Sequence, residues 1–268
     1  MLRPFFRCLL TALALFLFTQ TRAVALDQSV LDDLFTAQEW QTKGNLAASR
    51  LSLEKALRTQ PGNIFASVRL AQVDALSGDL DGSLARLTSV LTQEPENLLA
   101  LRWKGHVLLA KGQTAQAAAS YSRILKLDPD NGWAWLGVAA CLLDQATPEA
   151  GRDAAAALDK AQAHAGEDAD LHLALGDAFA RLHLLVNARL ELERTLDLRA
   201  RDTQALVLAG EVYLRLGLRG LALESWRQAL VLDPAMGQAK ANLLLLEGGG
   251  SAPTSRQSQG QGALPPGP

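Results

Sequence analysis

Four histidines, two cysteines and a scatter of carboxylates are the residues of this 268-residue chain whose types could do chemistry. A zinc site on one helix face needs two ligands a turn apart, and no two of His106, His164, His172 and His183 are spaced by four. His172 and His183 fall at opposite ends of one predicted helix. Asp32, Asp33, Glu191 and Glu193 read as solvated faces and helix-end charges. There is no glycine-rich phosphate loop, no cysteine pairing motif and no His-Glu-x-x-His run. No strand is predicted, so no serine can occupy a strand-turn-helix elbow. Cys141, followed by Leu142 and Leu143 in a helix, reads as a small core residue. The sequence therefore predicts no catalytic residue, no metal and no cofactor. The chemistry left to it is recognition by a surface.

The elements that must build such a surface are marked by punctuation. Pro61, Pro95 and Pro129 stand 34 residues apart, and Gly44, Gly78 and Gly112 fall between them at the same period. Gly217 precedes Pro234 as Gly112 precedes Pro129. Alanine- and leucine-rich segments fill the intervals. A proline inside a helix costs about 3 kcal/mol, and glycine takes the left-handed conformation that ends one. Each unit thus reads as helix A, a glycine turn, helix B and a proline-marked connection. One such pair cannot bury its apolar face alone, so neighbours must stack.

This pattern resembles the tetratricopeptide repeat (TPR) family. The repeat at 98–131 carries Gly105, Ala117 and Tyr121, and the one at 203–236 carries Gly210, Tyr213, Ala222, Trp226, Ala229 and Pro234. The repeat at 30–63 has Ala37, Trp40, Ala56 and Pro61. Three repeats depart from the pattern. Repeat 64–97 has Asp74 where the family has an aromatic residue. Repeat 132–168 carries about three extra residues around Ala146-Thr147-Pro148-Glu149 and no final proline. Repeat 169–202 has His183 for the mid-repeat glycine and Ala200 for the proline. The resemblance covers roughly residues 30–247. It implies an all-α fold, a right-handed superhelical solenoid of antiparallel helix pairs, closed by a capping helix at 238–247.

In that family helix A lines a concave inner face. Carried onto this sequence, the inner positions include Arg69, Gln72, Arg102, Trp103, His106, Trp133, Leu136, Asp177, Arg181 and Glu211. Trp and Arg exposed together are what binding hot spots are made of. The competing reading packs Trp103 and Trp133 between repeats. Trp135 and Trp226 are expected in the core. Leu34, Gln38, Arg69, Leu99 and Trp103 do not match the two-carboxylate clamp of chaperone-binding relatives.

The two ends differ in kind. Residues 1–25 read as a secretory signal peptide: Arg3 and Arg7, an apolar run from Cys8 to Phe18, and Ala23-Val24-Ala25 before a cut after Ala25. The alternative is a membrane anchor left uncleaved. Cleavage also removes Arg22 and no acid, leaving 23 basic against 28 acidic residues and no integral membrane segment. That balance argues against nucleic acid or an anionic membrane as principal partner. Residues 248–268, rich in Gly, Pro, Ser and Gln, read as a disordered tail. The expectation is a non-enzymatic, exported, periplasmic adaptor that binds a protein or peptide partner in assembly of an envelope machine. The alternative is a self-associating module forming a homo-oligomer. An enzyme or metal-binding protein comes third, with no constellation behind it.

Overall fold

The computed structural model describes residues 28–145 and 147–247, and among these every regular element is a helix. The expected leader at 1–25, with its cut after Ala25, and the expected tail at 248–268 lie outside the described residues. Thirteen helices follow one another among the described residues: α1 (Gln28–Thr42), α2 (Leu46–Thr59), α3 (Ile64–Leu76), α4 (Leu80–Gln93), α5 (Leu98–Ala110), α6 (Thr114–Leu127), α7 (Gly132–Leu143), α8 (Pro148–Ala163), α9 (Ala169–Arg181), α10 (Leu185–Leu198), α11 (Thr203–Arg215), α12 (Arg219–Leu232) and α13 (Gly237–Glu247). They pack as sequential antiparallel pairs, the TPR-like arrangement that the spacing predicts.

Both kinds of boundary have local causes. Asn63, Asn97, Asn131 and Asp202 cap α3, α5, α7 and α11, each accepting a hydrogen bond from the backbone N–H three residues on. Such a cap contributes about 1 kcal/mol. In five of the pairs the turn has one left-handed residue. Gly44, Gly78, Gly112 and Gly217 supply it with φ of +73°, +89°, +69° and +79°. In the α9–α10 turn His183 takes the same conformation at φ +60°.

The chain forms two compact units, dividing after Ser120 within α6. In the first, α1 packs on α2 and α3 on α4, while α2 meets α3 and α4 meets α5. Leu53, Leu70, Val73, Leu87, Val90 and Val107 are buried there. Two serines stand in helix B where the repeat pattern has alanine. The buried hydroxyl of Ser49 donates to the carbonyl of Ala37 at 2.9 Å, and that of Ser83 to Ala71 at 2.7 Å. Each thereby satisfies its own polar group while tying the two helices of its pair together.

In the second unit the pairs are α7–α8, α9–α10 and α11–α12, with α13 laid on α12. Leu158, Leu171, Leu175, Phe179, Leu192 and Trp226 form its interior. The extra length expected near residue 146 is taken up by a longer connection and by α8, which at 16 residues exceeds the other second helices. Thr147 caps it, its hydroxyl accepting from the Ala150 N–H. The last described helix, α13, buries Ala239, Leu243 and Leu246 and leaves Leu244 and Leu245 exposed.

Candidate functional site

In the first unit, helix geometry brings apolar side chains to an open face. Leu31, Leu34, Phe35 and Gln38 recur at three- and four-residue spacing along α1, which places them on one stripe. The Asn63 cap sets where α3 begins, and its amide also donates to Gln60 Oε1 at 2.8 Å. That start brings Ile64, Phe65 and Arg69 alongside the α1 stripe, over Leu53 of α2. Together these residues line a groove of about 580 Å³, with Gln60, Asn63 and Glu94 also on its wall. Phe35 is 73 % exposed and Phe65 52 %. Large aromatic faces left in water beside an apolar cleft make this groove a candidate binding surface.

Arg69 is half-buried in that wall. Its Nη1 donates to Gln72 Oε1 at 2.9 Å and its Nη2 to Gln41 Oε1 at 3.0 Å. Burial lowers its pKa from the usual guanidinium value, and the group stays charged. The two expected inner residues Arg69 and Gln72 are therefore joined directly.

Arg102, Trp103 and His106 lie together on α5. Trp103 is half-buried against the cluster of Val68, Ala71, Leu87 and Val107. Its ring centroid is 5.5 Å from that of His106, the planes tilted by 51°. Burial, helped by the nearby Arg102 charge, pushes the His106 pKa down to about 4. This cluster is as much packing as surface.

The remaining expected residues belong to the second unit. Trp133 is half-buried on the core, its indole N–H donating to Asp168 Oδ2 at 2.8 Å. Leu136 is buried at 9 % exposure, packed with Ala139 and Leu158, so it belongs to the core and not to an inner surface. Asp177 and Glu211 do share a groove, of about 530 Å³, with Asp170, Leu173, Val207 and Met236 among its walls. Each carboxylate is held locally. Asp177 pairs with Arg181 at 3.0 Å, and Glu211 accepts from Gln238 at 2.6 Å and Asn242 at 3.3 Å. Arg181 itself is exposed at the end of α9.

Known proteins share this arrangement. A family model described as a tetratricopeptide repeat-like domain matches residues 26–135. A thermophilic TPR protein of Thermus thermophilus superposes with a TM-score of 0.58 at 20% identity, over 69% of this chain and 98% of that one. The Cut9–Hcn1 hetero-tetramer of the APC/C gives 0.62 at 16% identity, over 87% of this chain and 46% of that one. PilW, described as a widely conserved type IV pilus biogenesis factor, gives 0.57 at 18% identity, over 81% of this chain and 99% of that one. The fold is that of a TPR-like repeat array. A curated relative, the CTR9 homolog of Arabidopsis thaliana, is 27% identical over 115 residues, which is 41% of this chain and only 10% of that protein.

Within the TPR-like protein, several residues that sequence reasoning passed over carry structure or surface. Leu31 and Phe35 occupy the inner helix-A positions of the first repeat, and applying the same position rule one repeat earlier would have found them. Asp74, noted only as a departure from the aromatic pattern, is buried between two arginines: Arg50 Nη1 lies 2.6 Å from Oδ1 and Arg86 Nε 3.1 Å from Oδ2. No local pattern points to that triad, because its members come from three helices. His172 is likewise internal. It sits between Glu191 Oε2 at 2.7 Å and the Gly166 carbonyl at 3.1 Å, while Gln162 donates to Glu191 Oε1 at 2.7 Å. Trp135 is half-buried, with its indole N–H on the Pro129 carbonyl and Lys160 over its ring at 4.1 Å. Trp226 is fully buried, as expected. Cys141 is buried too, and burial raises its pKa to about 11, which leaves an inert thiol. No three His, Cys, Asp or Glu side chains gather as a metal site among the described residues, and no described helix is long and apolar enough to cross a membrane.

Proposed function

We propose that this TPR-like protein is a non-enzymatic exported scaffold that binds a protein or peptide partner through the inner face of its first helices. The observation that carries this reading is the 580 Å³ groove between α1 and α3, with Phe35 and Phe65 standing open on its walls. Export rests on the leader-like sequence of residues 1–25, and an envelope assembly role is the setting that export suggests. PilW, described as a type IV pilus biogenesis factor, offers one example of a TPR-like fold in such a setting.

The test is a pull-down from the native organism's envelope fraction, with the wild-type chain beside Phe35→Ser/Phe65→Ser and Trp103→Ala/Trp133→Ala. Circular dichroism must first show equal helicity. A partner kept by wild type and lost by the phenylalanine variant supports the groove. A partner lost only by the tryptophan variant moves the site to the expected middle of the array, and one kept by all three moves it elsewhere. Fractionation of the tagged chain, with mass spectrometry of its N-terminus, tests export and the cut after Ala25; a cytoplasmic chain that keeps residues 1–25 defeats that part.

A second reading, self-association, is favoured by Leu244 and Leu245, exposed at 64 % and 63 % on the last helix. Open array ends can stack head to tail. Sedimentation of wild type beside Leu244→Ser/Leu245→Ser over a wide concentration range decides it, because a monomer at every concentration excludes this reading.

A further inference from the structure

The groove between α1 and α3 is apolar, yet it carries a charge that no carboxylate among the described residues pairs. Among the described residues Arg69 bonds only the neutral amides of Gln41 and Gln72. Asp74, on the same helix, is committed to Arg50 and Arg86. Glu94, the other charge on the groove wall, accepts from Asn97 at 2.8 Å. A half-buried guanidinium without a carboxylate favours an incoming anion, because the desolvation cost is already met in the free protein. Its placement states what that anion must be attached to. Arg69 follows Phe65 by four residues on α3, so the two project from one face about 5–6 Å apart at their Cβ atoms.

Resting on the groove reading above, we propose that the partner of this site is a peptide segment in which large apolar side chains lie next to one side-chain carboxylate. The apolar groups fill the space between Phe35 and Phe65, and the Asp or Glu bonds Arg69. Arg69 stands along the wall, one turn beyond Phe65, where a continuing chain can pass it. That placement favours an acidic side chain over a terminal carboxylate. Glu94 repels a second acid and so gives the segment a direction.

The experiment is selection of random dodecapeptides, displayed without a free C-terminus, on the full chain. The enriched sequences are then made as C-terminally amidated, fluorescent probes and measured by anisotropy. The expected probes combine aliphatic or aromatic residues with Asp or Glu. Changing that acid to its amide weakens binding about tenfold or more, the worth of a hydrogen bond to a charged group. Arg69→Gln gives the same loss and erases the difference between acid and amide probes, Arg69→Lys retains part of it, and Glu94→Gln does not weaken binding. Enriched probes that bind equally as acid and amide, or that are basic, overturn the inference. If Phe35→Ser and Phe65→Ser still abolish their binding, the groove stands and only its preference falls. Failure of any peptide to enrich, or binding indifferent to both phenylalanines, removes the groove reading together with the inference.

Discussion

A Cβ placed on Gly210 would lie 2.3 Å from Nε1 of Trp226. Helix α11 therefore reaches α12 only because residue 210 has no side chain. Trp226 cannot retreat, since it is fully buried and its indole N–H donates to the Val207 carbonyl at 3.1 Å. Gly210→Ala is expected to lower the unfolding free energy by about 1–3 kcal/mol, the usual cost of overpacking. Gly151, in α8, meets nothing within 4 Å of a built Cβ. Gly151→Ala should instead raise stability by up to about 1 kcal/mol, as helix propensity dictates. Urea unfolding followed by far-ultraviolet circular dichroism separates the two, and equal midpoints for both variants would contradict the packing.

His183 occupies a left-handed position that glycine fills in four of the other turns. That conformation costs a residue with a Cβ about 1–2 kcal/mol. The side chain recovers part of this through Arg215, whose Nη2 lies 2.8 Å from its Nδ1. The pair is exposed, so the recovery is small. His183→Gly is expected to raise stability by about 0.5–1 kcal/mol. A lower thermal midpoint for the variant would mean that the Arg215 contact outweighs the backbone strain.

Asp74 is 1 % exposed, while its partners Arg50 and Arg86 are about one-third exposed. Removing the carboxylate leaves two cations facing one another, but both can reach water, which discounts the cost. Asp74→Asn is expected to lose about 2 kcal/mol by that reasoning. A double-mutant cycle with Arg86→Met should show positive coupling. Additive single losses would show that the aspartate acts by packing and not through its arginines.

His106 makes the first unit sensitive to acid. Its folded pKa is about 4 against an ordinary 6.5, lowered mainly by burial and further by Arg102. The unfolded chain therefore takes up this proton first as pH falls. The stability that neutral His106 contributes is complete above about pH 6.5, drains away between 6.5 and 4, and loses nothing more below 4. The loss should be on the order of 1–3 kcal/mol. His106→Gln should flatten that part of the curve. Parallel pH dependences for wild type and variant would refute the assignment.

How much of this was legible in the sequence follows from how local each cause is. A left-handed turn residue, a proline after a helix and an N-cap are decided within a single helical turn, and their 34-residue period shows the pairs directly. His183 was readable as a stand-in for glycine on that ground. The caps Asn63, Asn97 and Asn131 obey the same period and were equally available. Asp74 was visible as an exception, but its arginines come from neighbouring helices, and no period relates them.

The site illustrates the limit of that legibility. Leu136 and Phe35 both occupy inner positions of a first helix, yet one is 9 % exposed and the other 73 %. The helix position of each was fixed along the chain, because helical spacing sets the direction of a side chain. Which of them is covered was settled by packing in three dimensions, because burial depends on the side chains that neighbouring helices bring. Leu136 packs with Ala139 and Leu158 inside the second unit, while α1 and α3 leave the groove open beside Phe35.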